Sequence, residues 1–174
     1  MPDVVIRPRH DDDLPMLVDI ITRQQPETRY PLRWPWQGDL RDFVRRPTEL
    51  AAWVAELDGR VVGHVAIVSV GDDELGRMWA DAHGVPVDRL RCISVLFADR
   101  RLPRRGIGSA LLAHATEQAL IGGGAPVLDV VAGHHEPVTL YLSRGWLEIG
   151  RFRPDWLPPS YEPIRVMILP RDPG

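Results

Sequence analysis

The chain opens with a short apolar run, Val4-Val5-Ile6-Arg7-Pro8, which predicts a first strand. Asp11, Asp12 and Asp13 supply helix-capping carboxylates, and Leu14, Leu17, Val18 and Ile21 follow at helical spacing. Residues 24–47 carry no clear period. Tyr30, Trp34 and Trp36 stand there beside Pro31 and Pro35, and Leu40–Val44 has room for a short helix. Two apolar runs, 51–57 and 60–68, flank Asp58-Gly59, the pattern of a two-residue hairpin. Leu75, Met78 and Trp79 predict a short helix ending near His83-Gly84, within an excursion from 71 to 89 that reads as surface or as a lid. Residues 92–98 and 126–132 read as buried strands, and between them Ile107, Ala110, Leu111, Ala115 and Ala119 mark a helix closed by Gly122-Gly123-Gly124. Val138 to Leu142 begins another helix, ending at Gly145. Strands at 147–152 and 164–169 bracket a loop with Trp156 and Tyr161.

The turn between the strand at 92–98 and its helix is rich in arginine and glycine: Arg100-Arg101-Leu102-Pro103-Arg104-Arg105-Gly106-Ile107-Gly108-Ser109. The first N–H groups of a helix have no partner within it and carry partial positive charge. Gly106 and Gly108 let an anion approach the backbone closely, and Arg104 and Arg105 add charge at the rim. A phosphate or pyrophosphate is the natural guest. A Walker loop is excluded, because no Gly-x-x-x-x-Gly-Lys-Ser/Thr run exists. A Rossmann fingerprint fits badly. Leu111 stands where a small residue is needed, and the loop lies far into the chain.

The same residues resemble the acyl-CoA pyrophosphate loop of the GCN5-related N-acetyltransferases (GNAT), where Gln/Arg-x-x-Gly-x-Gly/Ala follows the fourth strand. Gly106-Ile107-Gly108 and the run Ser109-Ala110-Leu111-Leu112 match it, while the leading Gln/Arg falls on Pro103. Arg101 and Arg104 are the candidates for the missing charge. A second motif, Leu140-Tyr141-Leu142-Ser143-Arg144-Gly145-Trp146, resembles the family's Leu-Tyr-x-x-x-Gly-Phe/Trp. The preceding Asn-x-x-Ala run is replaced by His134 and Pro137. Gly63, early in the second hairpin strand, also has a counterpart in the family. The resemblance covers nearly the whole chain. It implies one α+β domain over residues 1–174, with a mixed, largely antiparallel sheet flanked by helices.

Composition changes this picture little. The chain has 174 residues, net charge −3, 17 prolines and one cysteine. That suits one soluble domain without a nucleic-acid footprint or an internal disulfide. Cys92 reads as an inert core thiol. Arginine greatly outnumbers lysine, as in a high-GC bacterial genome. No leader and no membrane span is expected, so a cytoplasmic protein, monomer or homodimer, is the expectation.

The resemblance implies acetyl transfer from acetyl-CoA to an amine of a small molecule or peptide, without a metal. Phe97, Ala98, Arg104, Arg105, Gly106, Ile107, Gly108, Ser109 and His134 would contact the cosubstrate, and a strand N–H near Phe97 or Ala98 would bind the oxyanion. Tyr141 would protonate the departing thiolate. Candidate bases are Glu56, His64, Asp99, Asp129, His134 and His135, or a water chain. Tyr30, Trp34, Trp36, Trp79, Trp156 and Tyr161 would line an acceptor pocket if they converge. The rivals are a catalytically inactive acyl-CoA-binding sensor or partner-binding module of the same fold, and a nucleotide-binding regulator using the Gly106 loop.

Overall fold

A computed structural model describes residues 3–102, 106–132 and 135–171. Pro103, Arg104, Arg105 and His134 therefore lie outside the described residues, as does the side chain of His135. The fold is mixed α+β. Among the described residues, seven strands lie in the order β1-β2-β3-β4-β5-β7-β6. They are β1 (Val5–Pro8), β2 (Glu49–Leu57), β3 (Arg60–Val68), β4 (Leu90–Ala98), β5 (Ala125–Val130), β6 (Leu147–Phe152) and β7 (Ile164–Ile168). The registered pairs β1–β2, β2–β3, β5–β7 and β6–β7 are antiparallel, and β4–β5 is parallel. Helices α1 (Leu14–Thr28), α2 (Arg41–Val44), α3 (Glu74–His83), α4 (Ile107–Leu120) and α5 (His135–Ser143) flank the sheet. The chain divides into two compact units, Met1–Val68 with Ile93–Glu117, and Ser69–Cys92 with Gln118–Gly174.

In the first unit, Leu14, Leu17, Ile20 and Ile21 of α1 pack with Phe43, Val44, Val54, Val95 and Phe97. Pro15 sits in the first turn of α1, where its missing N–H costs no helical bond. The helix continues to Thr28, through part of the segment that lacks a readable period. It stops at Arg29, left-handed at φ 56°, whose N–H reaches the Gln25 carbonyl at 2.7 Å. Tyr30 and Trp36 then meet Phe43 edge-on, with centroids 5.3 and 5.2 Å away. Tyr30 and Trp36 thus close the core, while Trp34 is exposed. The hairpin forms as Asp58-Gly59 predicts: both residues have positive φ, and Leu57 faces Arg60 across the two-residue turn.

Gly63 fixes how closely α4 approaches β3. A Cβ there would lie 2.9 Å from Leu111 Cδ1, 3.0 Å from Ile107 Cγ2 and 3.0 Å from the Phe97 carbonyl oxygen. Only a residue without a side chain lets the first turn of α4 settle where it does. Ile107 and Leu111, the helix residues at that contact, are buried.

In the second unit, Asp73 caps α3 by accepting from the Gly76 N–H at 2.8 Å, and Gly84 ends it at φ 68°. Trp79 is buried and donates its indole N–H to the Met167 carbonyl of β7 at 3.1 Å. His83 donates to the Pro126 carbonyl at 2.9 Å. The excursion read as surface or lid is thus anchored through α3 in the core of its unit. The loop between β6 and β7 is tied by Arg153, which donates to the Tyr161 carbonyl at 2.6 Å.

Candidate functional site

Leucine, cysteine, isoleucine, valine and phenylalanine make β4 a buried strand, but it is not a regular one. Burial follows Leu90 and Cys92, then changes phase to Ile93, Val95 and Phe97. The registered pairing with β5 runs only from Leu90–Ala125 to Cys92–Val127. Three residues later Val95 adopts φ 51°. For a β-branched residue that is a rare conformation, costing about 1–2 kcal/mol. Such strain persists only where the surroundings over-determine it.

The surroundings of Val95 are specific. His64 of β3 is fully buried, and its Nδ1 lies 2.8 Å from the Val95 carbonyl oxygen. Its Nε2 lies 3.1 Å from Nη1 of Arg9. A guanidinium can only donate, so Nε2 accepts and Nδ1 carries the proton toward Val95. Arg9 grips Glu49 with both Nη atoms, at 2.8 and 2.6 Å. The His64 ring also stacks on Phe97, with centroids 5.6 Å apart. Burial pushes the imidazole pKa down to about 3. The bond to Val95 opposes that shift, and the nearby Arg9 charge adds to it. His64 is therefore a neutral ring with both nitrogens engaged, and the candidate base at this position is corrected to a structural group.

At the end of β4 the chain is pinned from several sides. Gln24 of α1 donates to the Ala98 carbonyl at 3.1 Å and accepts the Arg100 N–H at 3.2 Å. The Asp99 N–H reaches the Val62 carbonyl at 2.8 Å, and the Asp99 carbonyl accepts the Leu102 N–H. The Asp99 carboxylate takes bonds from the Arg101 N–H, the Arg101 guanidinium and Arg23. Burial pushes its pKa upward, but the Arg101 and Arg23 bonds outweigh that and hold it down to about 2. So weak a base, clasped by two guanidiniums, anchors the turn. Arg101 spends its charge on Asp99, which bears on its candidacy for the place that Pro103 leaves without a donor.

Gly106 follows at φ +67°, and its carbonyl accepts the Ala110 N–H at 2.9 Å, starting α4. A Cβ at Gly106 or at Gly108 would meet nothing within 4 Å. The space beside the helix N-terminus is thus open at both glycines, while Ile107 between them is buried as the anchor. Ser109 and Ala110 are half-buried on the first turn. An anion cradle of backbone N–H groups needs this arrangement, and pyrophosphate-bearing coenzyme A has the chemistry to use it.

The other candidates are distributed as follows. Tyr141 is buried in α5, its ring 6.1 Å from that of Trp146, and its carbonyl accepts the N–H groups of Arg144 and Trp146. Glu56 is ion-paired with Arg7 at 2.9 Å. Asp129 is exposed on β5. Trp79 belongs to the core, so it is withdrawn from the acceptor wall. Tyr30 and Trp36 pack on Phe43. Among the described residues, no cluster of three or more His, Cys, Asp or Glu side chains could hold a metal ion. No described helix is long and apolar enough to cross a membrane.

The chain belongs to the Acetyltransferase (GNAT) family, whose model matches residues 14–146. No curated protein matches the sequence. Solved structures do. The yncA protein of Salmonella typhimurium, solved with its cofactor acetyl-CoA, is 16% identical with TM-score 0.71, over 98% of this chain and 95% of that one. Arabidopsis thaliana NAA60 in complex with acetyl-CoA is 19% identical with TM-score 0.69, over 95% and 98%. The ribosomal-protein-alanine N-acetyltransferase of Brucella melitensis is 22% identical with TM-score 0.68, over 94% and 97%. At these identities the likeness is one of fold.

Proposed function

We propose that this protein is a cytoplasmic, bacterial acetyl-CoA-dependent N-acetyltransferase, a single domain over residues 1–174 that acts on an amine of a small molecule or peptide. The observation that carries the reading is the open pair Gly106 and Gly108 at the start of α4, next to the buried Ile107. Backbone N–H groups of the Gly106–Ser109 turn take the pyrophosphate, with Arg104 and Arg105 at the rim and His134 as a further contact. A β4 N–H near Phe97 or Ala98 receives the oxyanion that develops on the thioester carbonyl. The acceptor nitrogen forms a bond to that carbonyl carbon and gives up a proton to a base or water, and the carbon–sulfur bond breaks. Tyr141 gives the sulfur a proton and regains one from solvent. The neighbours solved with acetyl-CoA support the choice of cosubstrate.

The test is the variant Gly108→Glu. Its side chain meets open space, so the fold survives, but its carboxylate stands where phosphate oxygens would. Calorimetry with acetyl-CoA should show binding by the wild type and at least a tenfold loss, about 1.4 kcal/mol, in the variant. Equal affinity for both would refute the reading.

A further inference from the structure

The strained Val95 has no explanation in its own sequence. Valine is among the residues least suited to positive φ, and its neighbours Ser94 and Leu96 carry no turn signal. The partner that answers it lies 31 positions away. His64 is fully buried in β3 and points Nδ1 at the Val95 carbonyl. Behind it stand Arg9, with a side chain only 5% exposed, and Glu49, which fixes Arg9 through two bonds. The tautomer that makes the Val95 bond is dictated by this line, because Arg9 must donate to Nε2. Phe97, two residues beyond Val95, rests its ring on the same imidazole. One buried histidine thus touches β4 at the break and again two residues beyond it.

We infer that His64 is a positioning residue: backed by Arg9 and Glu49, it holds Val95 in its left-handed conformation and so sets the course of β4 from Val95 through Ala98, the stretch to which the proposed function assigns the thioester and its oxyanion. The inference rests on that function for its catalytic meaning, while the hold of His64 on Val95 stands on geometry. His64 itself touches neither substrate nor reacting atoms. Its effect passes through the Val95 carbonyl and the Phe97 ring. The arrangement accounts for a buried polar line in an otherwise apolar core, with each member bonded to the next.

Two substitutions separate positioning from packing. His64→Asn keeps an amide N–H where Nδ1 stands, whereas His64→Leu fills the space without a donor. Both remove the acceptor that faces Arg9, so their difference isolates the bond to Val95. His64→Gln, whose amide reaches toward the Nε2 position instead, serves in place of the leucine variant should that one not fold. In crystals, His64→Asn should keep Val95 at positive φ, and His64→Leu or His64→Gln should return it to extended backbone. In calorimetry with acetyl-CoA, the asparagine variant should bind within about threefold of wild type and the leucine variant about tenfold more weakly. In a Val95→Gly background, where positive φ carries no steric cost, the leucine substitution should cost less than about threefold. Positive φ at Val95 without the His64 donor would overturn the inference, as would equal affinities for the asparagine and leucine variants. If wild type fails to bind acetyl-CoA, the proposed function falls, and the φ of Val95 in the variant crystals still decides the role of His64.

Discussion

Burial sets the acid response of single residues here. His64 titrates near 6.5 in an unfolded chain, and burial pushes it down to about 3 in the folded one. Between those values the unfolded chain holds a proton that the folded protein refuses, so stability falls as pH falls. The slope from this one group is about 1.4 kcal/mol per pH unit. His83, lowered by burial and the nearby Arg171 charge against its bond to Pro126, acts with the same sign. Asp99, held down to about 2, adds a loss only below its usual 3.8. Urea denaturation from pH 6.5 to 4.5 should show a steep fall in wild type and a shallower one in His64→Asn; identical slopes would contradict the buried, neutral histidine. The role of His64 was not legible in the sequence. Its neighbours mark only a strand, and its partners Arg9, Glu49 and Val95 come from three other segments. Tyr141 is proposed as the acid on its motif position alone. In Tyr141→Phe, acetyl-CoA affinity should stay within about threefold while turnover falls by about 10- to 1000-fold. Full turnover would reduce Tyr141 to packing against Trp146.

Elements were most readable where one local rule decides them. Asp58-Gly59 set the β2–β3 register, and Gly84 ends α3. The second half of α1 has no readable period because Gln24 and Gln25 are polar yet buried. They bond backbone at Ala98, Arg100 and Pro31, contacts that no period announces. The β5-β7-β6 strand order is likewise set by packing beyond local pattern. The approach of α4 to β3 depends on Gly63. An alanine there meets two side chains and a carbonyl at 2.9 to 3.0 Å, so Gly63→Ala should cost about 1–3 kcal/mol in denaturant unfolding. It should also weaken acetyl-CoA binding, because the cradle proposed at Gly106–Ser109 rides on that first turn. Wild-type stability in Gly63→Ala would mean that α4 yields without cost. Gly108→Ala, with open space around it, should fold as stably as wild type to within about 0.5 kcal/mol.

For the molecule as a whole, composition decides how cleanly the chemistry can be read. All 21 basic residues are arginine, and the chain contains no lysine. Guanidinium groups stay protonated and are poor nucleophiles at neutral pH. The protein therefore offers acetyl-CoA no ε-amine of its own, and thiol release reports on the added acceptor. The most direct measurement is to incubate the purified protein with acetyl-CoA and a panel of amines: peptides with free N-termini, polyamines and amino acids. Free thiol and acetylated amine are then counted in the same tube. An N-acetyltransferase gives the two in equal amounts, over many turnovers, for at least one amine. Tight binding of acetyl-CoA, with no thiol above the amine-free rate for any of them, would contradict the account and leave an acyl-CoA-binding module on this fold.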